Sequence, residues 1–175
     1  MMWRARLVLA LTCLAVTALA AARSDGEGLQ IDERWLTLKA QARACYLGFI
    51  ELYDAAYFRS DTSTPAKRCI QVDYRRSFSA AALDKATNEV FRERHGAESA
   101  ARYAHYLAQV GDVYRAVEAG DRYTYCLDDN AGGVLWRDGK AVVRFDSHEF
   151  SERFMQIWVA GETADARPRW AFPGC

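Results

Sequence analysis

A chain of 175 residues, 51% of them hydrophobic, has the size and apolar content of one domain with one buried core. Its 23 basic and 23 acidic side chains cancel to a formal charge of zero. That balance argues against nucleic acid or an anionic membrane as the main partner, because both select strongly basic surfaces.

The N-terminus carries Arg4 and Arg6, then LVLALTCLAVTALA, an uncharged run. It ends in the small-x-small steps Ala18-Leu19-Ala20 and Ala20-Ala21-Ala22. The run is shorter than the ~20 apolar residues of a membrane span. Residues 1–22 therefore read as a cleaved secretory signal, and residues 23–175 as a single periplasmic or secreted domain with no transmembrane span after cleavage. Removing Arg4 and Arg6 from the 23 basic residues leaves 21 against 23 acidic ones. Cys13 lies in the leader, so Cys45, Cys69, Cys126 and Cys175 remain. An even count in an exported chain suggests disulfides, and four cysteines allow three pairings. No spacing matches a zinc knuckle or a C-x-x-C redox pair. A free Cys45 buried in its strand stays open as an alternative.

Residues 23–35 are polar and read as a loose lead-in. CYLGFIELYDAAYF, 45–58, is apolar on both alternating faces and rich in aromatics, so it reads as a central strand covered on both sides. In that reading Glu51 and Asp54 fall on opposite faces and cannot form an acid–base pair, and each is expected to pair with a nearby arginine. RSDTSTPAKR is a turn-rich connector. CIQVDYRR alternates strictly and reads as a strand half open to water, in a hairpin with its predecessor. A helix is capped by Ser79 and closed by Gly96, and a second runs from about Glu98 to Val110. VYRAV and DRYTYCLDD return to alternation, and Asp138-Gly139 suits the turn of a hairpin between GVLW and AVVRF. A last helix starts at Ser147 and ends at Gly161, with an irregular aromatic tail behind it. Strands, two helices, strands and a helix imply an α+β domain.

His95, His105 and His148 show no metal spacing and read as solvated. No phosphate loop, nucleophile elbow or cofactor motif is present, so no cofactor is expected. Nine tyrosines stand out. Several phenols converging with an arginine would bind a carboxylate, since the guanidinium fork and the O–H both donate.

Five stretches in order resemble the bacterial chalcone isomerase-like family across nearly all of the mature chain. They are Leu52 to Phe58, the Tyr74 to Ser79 step, Gly120-Asp121, Gly139-Lys140, and Phe154 to Gly161. The resemblance implies an open-faced β-sandwich, with a large antiparallel sheet packed against helices and a ligand cleft between them. It also implies one of two activities: ring closure by an arginine and a strand threonine, or fatty-acid binding by an arginine and a tyrosine. Tyr53 stands at the threonine position, which fits the binders. Arg43 stands at the arginine position, with both glycines of the family's preceding G-x-G step replaced. Arg43 and Tyr53 are thus the expected ligand-binding pair. On one straight strand they would lie about 33 Å apart at ~3.3 Å per residue. A shared site therefore requires a sharp turn at Gly48, midway between them. The expectation is an exported, non-catalytic protein that holds a fatty acid or other small amphipathic ligand. The alternatives are an isomerase or lyase on a small aromatic substrate, and a pocketless envelope scaffold.

Overall fold

The computed structural model describes residues 28–60, 66–128 and 131–175. The expected leader, residues 1–22, lies outside the described residues. One antiparallel sheet holds β1 (Gly28–Ile31), β2 (Arg34–Tyr46), β3 (Ile50–Arg59), β4 (Lys67–Tyr74), β5 (Arg122–Asp128), β6 (Gly133–Arg137) and β7 (Lys140–Arg144), in chain order. Helices α1 (Ala80–Arg102) and α2 (Ala104–Val113) are inserted between β4 and β5, and α3 (His148–Met155) follows β7. A separate pair, β8 (Val159–Glu162) and β9 (Pro168–Trp170), closes the fold. The expected α+β architecture is present.

Period-two alternation decides what each face of the sheet does. Tyr57 pairs with Ile70, Ile70 with Tyr125, and Tyr125 with Leu135, giving a row across four strands with exposures of 0–1%. The helices cover that face, with Phe91, Phe150 and Phe154 fully buried against it. The opposite face carries a smaller core, where Phe58, Cys69 and Cys126 meet Leu29 and Leu36 of the first hairpin. Ser79 caps α1 by accepting from the Ala82 N–H at 3.1 Å, and Ser147 caps α3 by accepting from Phe150 at 3.2 Å. The expected break at Gly96 is a kink at φ 84°, ψ 162° within α1. All four cysteines are bridged, Cys45 to Cys175 and Cys69 to Cys126. That excludes a free Cys45.

Several elements differ from the sequence reading. The stretch 45–58 is not one strand. Tyr46 to Phe49 is a tight turn joining β2 to β3, with the Phe49 N–H donating to the Tyr46 carbonyl. The lead-in 23–35 hides β1 and the start of β2, joined by a turn with positive φ at Asp32 and Glu33. VYRAV is no strand; only Val117 makes an isolated bridge, to Phe78. The last helix stops at Met155, and its expected final turn is β8, where Gly161 adopts φ 157° beside Arg169.

A cleft between the sheet and the first helix

The side chains that matter most lie where β2, β3 and β4 face α1. Ala44 pairs with Tyr53, and Tyr53 with Tyr74, so these three share the helix-facing side of the sheet. With Leu83, Thr87 and Val90 of α1, and with Trp158 and Phe172 behind α3, the two tyrosines line a cleft of about 310 Å³. That lies at the small end of ligand sites, which run ~300–1,000 Å³. The walls are apolar for a local reason. The alternating residues of β3 and β4 and one stripe of α1 are both turned inward, while small Ala82 and Ala86 leave space between them. Tyr46, Ala82, Ala86 and Pro173 line the cleft yet are exposed, so they mark its mouth.

The tail forms one wall because it is tied down at several points, among them the Ala171 N–H, which donates to the Trp158 carbonyl at 2.8 Å. The Cys45 N–H donates to the Pro173 carbonyl at 3.1 Å, and the Cys45–Cys175 bridge follows two residues on. Phe172 then packs edge-on to Tyr53 with centroids 5.4 Å apart.

The polar groups inside are phenols and one threonine. Thr87 Oγ1 and the Tyr114 hydroxyl satisfy each other at 2.9 Å. The hydroxyls of Tyr53 and Tyr74 have no hydrogen-bond partner among the described residues, although both rings are packed against neighbours. Burial pushes both phenols well above their ordinary pKa. They therefore stay protonated through the neutral range and can donate. Among the described residues no cation lines the cleft.

Arg43 is elsewhere. The hairpin at Gly48 forms as a shared site requires, but its register pairs Arg43 with Asp54 and Ala44 with Tyr53. Arg43 and Tyr53 thus face opposite sides of the sheet, and the structure does not bring them into one recess. Arg43 Nε donates to Asp54 Oδ1 at 2.6 Å and Nη1 to Glu51 Oε1 at 2.7 Å. Arg75 reaches the same two acids at 3.3 and 3.4 Å. Both carboxylates hold the Arg43 guanidinium more firmly charged than usual. The two acids share this cluster because the β2–β3 register shifts between Ala44 and Cys45. The bulge flips β3 by one residue, so positions 51 and 54 come to one face instead of two. Arg43 borders a second, polar hollow of about 620 Å³, where Asp73 and Arg122 are likewise ion-paired. For Arg43→Ala we expect a lower melting temperature, because Glu51 and Asp54 lose a shared counter-ion, with ligand affinity unchanged. Parallel thermal melts and ligand titrations check this.

Among the described residues no cluster of histidine, cysteine and acids could hold a metal. His95 is part-buried rather than solvated: its Nε2 lies 2.8 Å from the Arg153 carbonyl, and its ring packs on Phe91. No helix among the described residues is long and apolar enough to cross a membrane.

The sequence profile of the chalcone isomerase-like family matches residues 26–169. The chain belongs to the chalcone isomerase-like family. A solved structure of the same fold is a fatty-acid binding protein of Arabidopsis thaliana, with a TM-score of 0.53 at 10% identity over 81% of this chain and 84% of that one. A search of curated proteins finds no match. Within this chalcone isomerase-like chain, sequence reasoning singled out Tyr53 but missed Tyr74, Trp158 and Phe172 as cleft residues. Tyr74 was detectable, because it alternates in step with Ile70 and Val72 on one face of its strand. Phe172 was not, because the bridge and the backbone bonds that place it join the tail to a strand far away in sequence.

Proposed function

We propose that the chain is an exported, non-catalytic carrier that holds a fatty acid or another small amphipathic ligand in the cleft between β2–β4 and α1. One observation carries this reading. Two protonated phenols, Tyr53 and Tyr74, stand without partners in a recess that is otherwise apolar. Neither hydroxyl is sealed from solvent, so water can serve both while the cleft is empty, and a ligand's carboxylate or hydroxyl would accept from them in its place. The alkyl part would lie against Leu83, Val90 and Trp158, each buried methylene contributing about 0.8 kcal/mol. The fatty-acid binding protein of like fold lends support to this ligand class.

Binding is favoured over catalysis by the chemistry of the lining. General acid–base work needs a group that titrates near the working pH. The ionisable residues around this cleft are tyrosines, and burial pushes Tyr53, Tyr74 and Tyr114 upward, away from neutrality.

Native mass spectrometry of protein purified from an exporting host tests the reading directly: a retained acyl ligand is expected, and an empty cleft that takes up no added fatty acid would refute it. In titrations with a fluorescent fatty acid, Tyr53→Phe/Tyr74→Phe should weaken binding roughly tenfold or more, since bonds to a charged group are worth about 1.5–3 kcal/mol. Its melting temperature should hold, because the variant keeps both packed rings and removes only hydroxyls that have no partner among the described residues.

A further inference from the structure

Among the described residues, large apolar side chains stand exposed at Trp35, Tyr46, Leu47 and Phe49, and the last three cluster around Gly48 at the tip of the β2–β3 hairpin. Leu47 and Phe49 are 68% and 73% exposed. The turn makes their choice more pointed. Leu47 has φ 53° and Gly48 φ 78°, a left-handed pair that selects Asn, Asp or Gly. A leucine there is strained as well as wetted. Strain kept at an exposed apolar residue suggests that the side chain is used.

The tip is continuous with the cleft: Tyr46 begins the turn and lines the mouth. We propose that this hairpin tip inserts into the interfacial layer of a lipid bilayer and seats the cleft mouth on the membrane. The purpose, exchange of ligand without passage through water, rests on the amphipathic-ligand reading; the docking itself does not. A bilayer fits better than a protein partner for two reasons. Three side chains on a narrow turn fall far short of the ~800 Å² per partner of a stable protein interface. Aromatic and aliphatic residues on a projecting tip suit the fluid headgroup boundary instead. Nor does charge oppose the approach. Glu51 and Asp54, at the base of the hairpin, are matched by Arg43 and Arg75. With no net basic surface in the chain, attachment is apolar and so insensitive to salt.

The test is flotation of protein purified from an exporting host with phosphatidylcholine vesicles, comparing wild type with Leu47→Asn/Phe49→Asn. Asn suits the left-handed turn, so the variant should fold, and an unchanged melting temperature confirms that. Wild type is expected to float at low and high salt, and the variant to partition about tenfold less or weaker. Wild type that stays in solution, a variant that floats equally well, or binding that salt abolishes would each overturn the proposal. So would a concentration-dependent dimer of wild type that the variant loses, which would assign the tip to a second copy. Fatty-acid titration without vesicles reads the cleft alone. If that fails while flotation still follows the tip, docking stands and the ligand reading falls.

Discussion

The Cys175→Ser variant is expected to melt about 5–15 °C lower and to lose much of its ligand affinity. The bridge from Cys45 closes 130 residues of chain. Chain entropy alone would assign such a loop about 5 kcal/mol, while typical disulfides give ~2–4. At ~2–4 °C per kcal/mol for a domain of this size, the melting shift follows. The affinity loss has a separate cause. The bridge holds the segment whose Phe172 and Pro173 wall the cleft, and whose backbone pairs with the open edge of β2 at Ala44 and Cys45. Once released, the segment beyond Ala171, which the Trp158 carbonyl and Arg94 still hold, keeps only its packing and its backbone bonds to β2. Cys69→Ala/Cys126→Ala is the matched comparison. It breaks a fully buried cross-strand bridge between β4 and β5, far from the mouth. Its melting temperature should also fall, but its affinity at a temperature where it remains folded should match wild type. Thermal melts and fatty-acid titrations of both variants check the contrast. Equal loss of affinity in both would mean that the tail is not a cleft wall.

Phe154→Ala should cost about 3–5 kcal/mol, the range for emptying a buried aromatic site. Phe154 is fully buried. Its ring meets Tyr125 edge-on at 4.9 Å, Phe150 at 5.6 Å and Trp158 at 5.4 Å. These neighbours are themselves large and fixed by other contacts: Tyr125 donates to the Ser151 carbonyl at 3.1 Å, so the ring cannot slide into the void. With total stability of ~5–15 kcal/mol for ordinary domains, such a loss leaves the chain near its threshold. Denaturant titration measures it. An effect below about 1 kcal/mol would mean that α3 is not a keystone of the core.

How far sequence reaches is visible in particular residues. Asp138-Gly139 announced its hairpin because both positions take positive φ, 48° and 76°, and the residue types suit that geometry. Gly96 announced the break in α1 for the same reason. Gly48 was less legible. Its neighbours Leu47 and Phe49 are apolar, so the turn reads as the middle of a buried strand. β8 was hidden because Phe154, Ile157 and Trp158 keep helical spacing past the point where the helix has ended. The candidate site shows a harder limit. A glycine between Arg43 and Tyr53 suggested a hairpin, and the hairpin exists. Which side of the sheet each residue faces depends on a register fixed by one residue, and on a bulge at Leu52, opposite the Ala44–Cys45 step, that no residue type in the stretch marks. Tyr53 reaches the cleft, and Arg43 turns away from it.

The placement of α1 and α2 inside the β4–β5 connection has an evolutionary consequence. Strands 4 and 5 are neighbours held by their own ladder and by a covalent cross-link, so the helices between them are an excursion that the sheet does not need in order to align. Substitutions at Ala82, Ala86 or Val90 reshape the recess without disturbing a strand. Selection can therefore reshape the recess while leaving the barrier to unfolding almost untouched. Related chains should diverge fastest along that helical stripe and slowest along the row from Tyr57 to Leu135.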